Sequence, residues 1–315
     1  MLLRRDRLLI VALMLALLLT FTLQFGSVEA SEQIKASLRV YPVKIEMPVK
    51  AGETCSADIN VQNTGDRPAK ILVYAQDFTK DEKGNYTFYK PGERAISMSA
   101  ASWLSPSMRE LELDPSESRV LDVELSAPKD AEPGGHYTMV FVEAEPKVAG
   151  QDIPQGAHIL SKARVGVLVL GTVGGQIRRL GALGSFKVAS FNFGPRVPST
   201  VVFENKGNVH IELAGIITFK DWRGRQVGSI PIVERTSLPA SKLEISEVWE
   251  GAPLIGRFTA NAKIISKDGK EWVKSQSFWI FPLKEAAYIL GLIVILAGAW
   301  YIVTRKFQFK VERRQ

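Results

Sequence analysis

Catalysis and metal binding demand particular side chains at particular spacings. His136, His158 and His210 are the chain's three histidines. No two have metal-ligand spacing, and neither HExxH nor CxxC occurs, so no metal site is expected. His136 follows Gly134-Gly135 and reads as a surface-loop imidazole. His158 and His210 fall at strand starts or within strands, where a half-exposed, satisfied imidazole is expected. Cys55 is the single cysteine, which rules out an intrachain disulfide. It lies mid-strand, a poor place for a nucleophile, and is expected to pack as a small hydrophobe. No serine stands in a GxSxG elbow. Asp77, Asp81 and Glu82 cluster around a hairpin and read as a solvated loop rather than an acid–base pair or calcium site. Gly171-Thr172-Val173-Gly174-Gly175 lacks the Lys-Ser/Thr of a phosphate loop. The expectation is a protein without catalytic residues or cofactors.

The aromatics are better candidates for binding. Tyr74, Phe78, Tyr86, Phe88 and Tyr89 crowd one hairpin region, and rings there could stack on sugars or on a partner strand. The competing reading is that about half of them fill a core. Trp222, at the tip of a charged hairpin, is the best exposed anchor in the second half. Trp103 is either core or groove. The candidate ligand-binding residues are therefore Tyr74, Phe78, Tyr86, Tyr89, Trp103 and Trp222.

The elements that must position these residues are almost all strands. TCSADINVQN alternates, with Cys55, Ala57, Ile59 and Val61 on one face. Runs of this kind recur between turns such as Asp114-Pro115-Ser116-Glu117 and Lys267-Asp268-Gly269-Lys270. Pro42 and Pro48 confine the strand around 38–45 to an edge or bend. No segment before residue 286 sustains a 3.6-residue period. The second half echoes the first: VQNTGDRPAKI at 61–71 and FENKGNVHIEL at 203–213 share an Asn-x-Gly before an apolar strand. Both residue types tolerate φ > 0, which suits a tight reversal. The fold expected is all-β: two tandem immunoglobulin-like β-sandwiches, at 31–175 and 176–282, meeting at a Gly-rich boundary near 174–184.

Both ends of the chain point to a membrane. The N-terminus is basic, then apolar from Leu8 to about Phe25, then small at Val28 and Ala30. This predicts a signal helix with a signal peptide at 1–30, an uncleaved anchor being the alternative. Residues 286–304 carry no charge and match the roughly twenty apolar residues that cross a bilayer as a helix. The basic tail, 305–315, belongs on the cytoplasmic side by the positive-inside rule. A single-pass type I protein of the cell membrane follows, its sandwiches outside. The formal net charge of +7 sits largely in that tail and in Arg4, Arg5 and Arg7. The rest is near neutral, so no nucleic-acid partner is expected.

The run from Ser102 to Glu145 resembles the first domain of bacterial WxL-interacting proteins. The matching text is Trp103, RELELDP with its Pro115-Ser116-Glu117-Ser118 turn, and the Pro-Lys-Asp … Pro-Gly-Gly-x-Tyr loop before an apolar strand. FENKGN, the Leu-Pro-Ala-Ser turn, Gly256-Arg257-Phe258 and FWIF are similar to the second domain of that family. The first domain is also similar in style to the sandwiches of pilus chaperones. The resemblance implies a non-enzymatic, membrane-anchored cell-surface scaffold. Its first domain would bind peptidoglycan or another cell-wall glycan, and its second a secreted surface protein. The alternative is a chaperone-like or assembly-platform protein acting by edge-strand pairing, with strands 38–45 and 163–173 as the candidate edges.

Overall fold

The computed structural model describes residues 33–94, 96–147 and 159–306. The expected signal peptide at 1–30, most of the polar loop at 147–155, His158 and the tail beyond 306 lie outside the described residues. Strands β1 (Gln33–Lys35), β2 (Leu38–Tyr41), β3 (Lys44–Val49), β4 (Thr54–Asn63), β5 (Ala69–Lys80) and β6 (Tyr86–Tyr89) open the chain. They are followed by β7 (Leu104–Pro106), β8 (Glu110–Leu113), β9 (Ser118–Ser126), β10 (Gly134–Pro146), β11 (Ile159–Ser161) and β12 (Ala163–Val173). A four-stranded sheet, β2-β4-β9-β7, faces a six-stranded sheet, β3-β12-β10-β5-β6 with β8 also on β5, and β1 pairs with β11 alone. Alternation does the packing. Ile59, Val61, Leu121, Val123 and Leu125 point inward from one sheet and meet Ile71, Val73, Val140, Val142, Val167 and Val169 from the other.

The second half contains β13 (Gly181–Val188), β14 (Phe191–Phe193), β15 (Val197–Asn205) and β16 (Ile211–Asp221). It continues with β17 (Gln226–Ser237), β18 (Ser241–Trp249), β19 (Gly256–Ser266) and β20 (Glu271–Phe281). Sheets β13-β15-β18 and β14-β20-β19-β16-β17 enclose a second core that contains Phe203, Phe219 and Phe278. Replacing such a fully buried phenylalanine with alanine costs about 3–5 kcal/mol.

The two halves share one topology. In each, an early strand lies antiparallel in the smaller sheet (β2 on β4, β13 on β15). The chain then crosses to the larger sheet and pairs in parallel with its last strand (β3 on β12, β14 on β20). The crossing in the first half falls at Tyr41-Pro42, a cis peptide. The Asn-x-Gly echo is repeated atom by atom. Asn63 Oδ1 accepts the Gly65 amide at 3.0 Å, and its Nδ2 donates to the carbonyls of Arg67 and Leu113 at 2.8 and 3.0 Å. Asn205 does the same with Gly207 at 2.9 Å and with Val209 and Ser237 at 2.9 and 3.0 Å. Neither asparagine nor either glycine has positive φ, so the motif is a side-chain hydrogen-bonding device and not the left-handed reversal expected from its composition. The non-glycine positive φ values fall instead at Ser116 and Ala240, each directly after a proline in corresponding turns.

Helix α1 (Leu283–Lys306) starts one residue after β20, with Pro282 between them. Its segment Leu283–Ile302 is long and apolar enough to cross a membrane, and its described side chains are all exposed. An apolar helix with no partner face among the described residues suits lipid surroundings.

Candidate functional site

Two regions bring together side chains that could bind something. One is the outer face of the six-stranded sheet. Strand β10 is buried on both faces, because Val140 and Val142 face the core while Tyr137, Met139 and Phe141 form a separate cluster with Phe78 and Leu170. The β6 hairpin lies over that cluster. Phe78 is buried, and Tyr74 and Tyr86 pack half-buried against it. Tyr86 and Phe88 stack with an interplanar angle of 4° and centroids 6.1 Å apart. Phe88 is exposed. The Arg164 guanidinium sits 3.5 Å from the Phe141 ring centroid and 5.4 Å from that of Tyr74, which fills much of this face. Tyr89 is half-buried and its hydroxyl accepts from Arg94 at 3.1 Å. A hydrogen bond with Thr79, followed by the one from Arg94, holds that hydroxyl below the usual tyrosine pKa.

Trp103 and Trp222 lie elsewhere. Trp103 packs half-buried on the first core, with the His136 ring 4.4 Å away. His136 is thus buried, contrary to the surface imidazole expected from its glycine neighbours. Its Nε2 pairs with the Glu132 carbonyl at 2.9 Å, and its Nδ1 is buried without a partner among the described residues. Trp222 is 70% exposed at the β16–β17 turn, at the far end of the second sandwich. The structure therefore gathers Tyr74, Phe78 and Tyr86, while Tyr89, on the face of β6 opposite Tyr86 and Phe88, and the two tryptophans lie apart from that cluster. Asp77 also departs from the sequence reading: it is buried and accepts a hydrogen bond from Ser99. Asp81 does cap its exposed loop, taking the Asn85 amide at 2.7 Å. Cys55 is half-buried in β4, and burial pushes its thiol up. Among the described residues no group of three or more His, Cys, Asp or Glu side chains could hold a metal ion.

The second region is a cleft of about 570 Å³ between the sandwiches. On one side stands the β5–β6 hairpin with Lys80 and Tyr86; on the other stand Arg235 and Thr236 of β17 and Leu243 to Ser246 of β18. Lys80 donates to the Thr236 carbonyl at 2.8 Å and lies 5.3 Å from the Tyr86 ring centroid. Burial, with Arg235 nearby, lowers its pKa. Both β17 and β18 are edges: β17 pairs only with β16, and β18 only with β15. In the first sandwich, β9 occupies the place that β18 has here and carries β7 on its other side. The second sandwich has no described strand in that slot. One bond already enters it, the Glu244 amide donating to the Glu82 carbonyl at 2.6 Å. Strand alternation directs the amides and carbonyls of Ser246 and Val248 the same way. The duplication was visible in the sequence, but the slot that no described strand fills was not, because it depends on which strand lacks a neighbour.

Strand 163–173, a candidate edge in the sequence, is an interior strand. As β12 it pairs with β10 throughout and with β3 from Leu168 to Val173. Strand 38–45 divides between β2 and β3, which are edges of different sheets.

The sandwiches are joined through polar contacts beside the cleft. Lys44 pairs with Glu212 and Glu234. Lys267 pairs with Glu46 at 2.7 Å and Glu212 at 2.9 Å. Burial would raise the Glu212 carboxyl, but hydrogen bonds from Lys44 and Lys267 outweigh it and hold the group below the usual range. The Tyr137 hydroxyl accepts the His210 amide at 2.8 Å. Burial raises the pKa of Tyr137 and lowers that of the His210 ring. The Gly135 amide donates to the Asn208 carbonyl at 2.7 Å, an approach that a Cβ on Gly134 would block at 2.6 Å.

No protein-family model matches the chain, and no curated protein matches it in sequence. Solved structures similar to it include the class 5 fimbriae chaperone CfaA, at 11% identity and a TM-score of 0.41 over 77% of this chain and 99% of that one. The E. coli chaperone DraB gives 13% identity and 0.39, over 79% and 98%. The Pseudomonas aeruginosa CupB2 chaperone gives 9% and 0.37, over 76% and 100%.

Proposed function

We propose that this chain is a non-enzymatic, membrane-tethered surface protein that holds a secreted protein partner by adding one of the partner's strands to β18. The observation that supports this most is the slot beside β18, which β7 fills at the matching place in the first sandwich. A strand entering there would gain main-chain bonds from Ser246 and Val248, with the cleft receiving its side chains. Tethering by α1, with the sandwiches on the outer side and the basic tail in the cytoplasm, is part of this reading. Ser246→Pro removes an outward-facing amide from an edge without breaking the β15 ladder. The test is quantitative co-purification from detergent-solubilised membranes. A secreted protein should accompany the native chain and fall at least about tenfold with Ser246→Pro, the loss of about 1.4 kcal/mol. Equal recovery with both sinks the strand-pairing reading.

A second reading is binding to peptidoglycan through the first sandwich, as the resemblance to WxL-interacting proteins implies. The flat Tyr86–Phe88 pair favours it, since parallel, partly exposed rings can stack on a sugar. The full-length protein should sediment with purified peptidoglycan, and Phe88→Ala should reduce that. No sedimentation above a protein of unrelated fold removes the wall from the account.

A further inference from the structure

The end of the second sandwich from which α1 departs differs from the rest of its surface. By register, Asp221 is level with Phe258, Phe258 with Phe278, and Phe193 with Phe281. The β16–β17 turn, the β18–β19 connection and the end of β14 therefore share the end where β20 meets α1. There the apolar side chains face outward: Trp222, Ile255, Phe193 and Leu254 are 70%, 65%, 62% and 50% exposed. Arg223 lies 4.4 Å from the Trp222 ring centroid and makes no salt bridge among the described residues, whereas its neighbour Arg225 is paired with Asp221.

Trp222, Leu254 and Ile255 lie on connections and Phe193 at the end of β14, and large apolar side chains gathered at one end of a domain mark an interaction surface. The connection to α1 indicates with what. Pro282 alone separates β20 from the helix, so these turns are held within a few residues of the point where α1 enters the bilayer. Tryptophan with aliphatic neighbours, next to an unpaired arginine, is the composition that settles at a membrane interface: rings at the headgroup level, cation on phosphate.

We infer that this end of the second sandwich docks onto the lipid headgroup layer of the membrane that α1 crosses. Trp222, Phe193, Leu254 and Ile255 enter the boundary of the acyl region, and Arg223 meets lipid phosphate. The inference rests on α1 being a span, and it assigns Trp222 to lipid rather than to a protein or glycan ligand. It makes the contact with the membrane two-part, a helix and a face, which fixes the tilt of the second sandwich.

Site-directed spin labelling tests it on the full chain in lipid nanodiscs, with Cys55→Ser removing the native thiol. Nitroxides are placed in turn at Ile255→Cys, at Val294→Cys in the middle of α1, and at Lys187→Cys on β13 as an exposed reference. The Ile255 label should be more accessible to oxygen and several-fold less accessible to a water-soluble nickel chelate than the Lys187 label. Adding phosphatidylglycerol should strengthen that contrast, and Arg223→Gln should abolish the added part. Equal nickel accessibility at 255 and 187 overturns the docking. So does shielding of 255 from both reagents, which means that protein covers the patch. If Val294 lies in lipid while 255 stays open to nickel, docking alone fails. If Val294 is also open to nickel, the span and the docking fall together.

Discussion

Asn63 and Asn205 show how much one residue type can specify. Each is buried, each closes a turn by accepting one amide, and each ties that turn to the carbonyl of a neighbouring strand. The spacing Asn-x-Gly marks both places in the sequence, but the reason it recurs is legible only from the hydrogen bonds, because φ stays negative there. Asn205→Ala leaves the Gly207 amide and the carbonyls of Val209 and Ser237 without their partner. Each unsatisfied buried group costs about 1–3 kcal/mol. The variant should therefore lose at least about 2 kcal/mol from the second sandwich in denaturant unfolding. Asn63→Ala should cost the first sandwich the same, and a loss under about 0.5 kcal/mol in either would show that water replaces the side chain. His136 was harder to read. Glycine neighbours suggest a loop, whereas burial comes from Trp103, which is distant in sequence.

At the scale of elements, alternation identified most strands, and it failed where a strand is buried on both sides. Strand β10 carries apolar residues on both faces because the β6 hairpin covers the one that would otherwise meet water. Edges were the least legible feature, since a strand's neighbours are set by topology and not by its own residues. The Pro-Gly-Gly-x-Tyr loop before β10 has a comparable lesson. Sequence reading ascribes its glycines to a sharp turn, and Gly134 does have a φ of 139°. The structure adds a second requirement, the close approach of the other sandwich. A Cβ on Gly135 would lie 1.8 Å from the Tyr137 hydroxyl, the atom that receives the His210 amide. Gly135→Ala should therefore displace Tyr137 and cost about 1–3 kcal/mol. Proteolysis of the connection at 174–180 should become faster, and an unchanged cleavage rate would show that the junction tolerates the methyl group.

Across the whole molecule, the junction between the sandwiches should respond to acid. The folded-state pKa of Glu212 lies below its ordinary 4.5. Its contribution is therefore present above that value and lost as pH falls through the folded one. His210 acts in the same sense. Burial lowers its pKa below 6.5, so the neutral ring is favoured and stability declines as pH falls below that value. Electron–electron distance measurements between labels on the two sandwiches should give one narrow distribution at neutral pH and a second, broader population that grows as pH is lowered below 4.5. One unchanged distribution would show that the salt bridges do not hold the angle.

The short passage from β20 to α1 has a mechanical consequence. On the proposed reading, in which α1 is held in a bilayer, a pull on the first sandwich enters β20 along its own axis. Its ladders to β19 and β14 run across that axis, so their bonds are strained together in shear and do not open one after another. The junction is held by side-chain ion pairs and a few turn contacts, with no strand continuous through it. Under tension it should part first and lengthen the protein, while the joint between β20 and α1 holds.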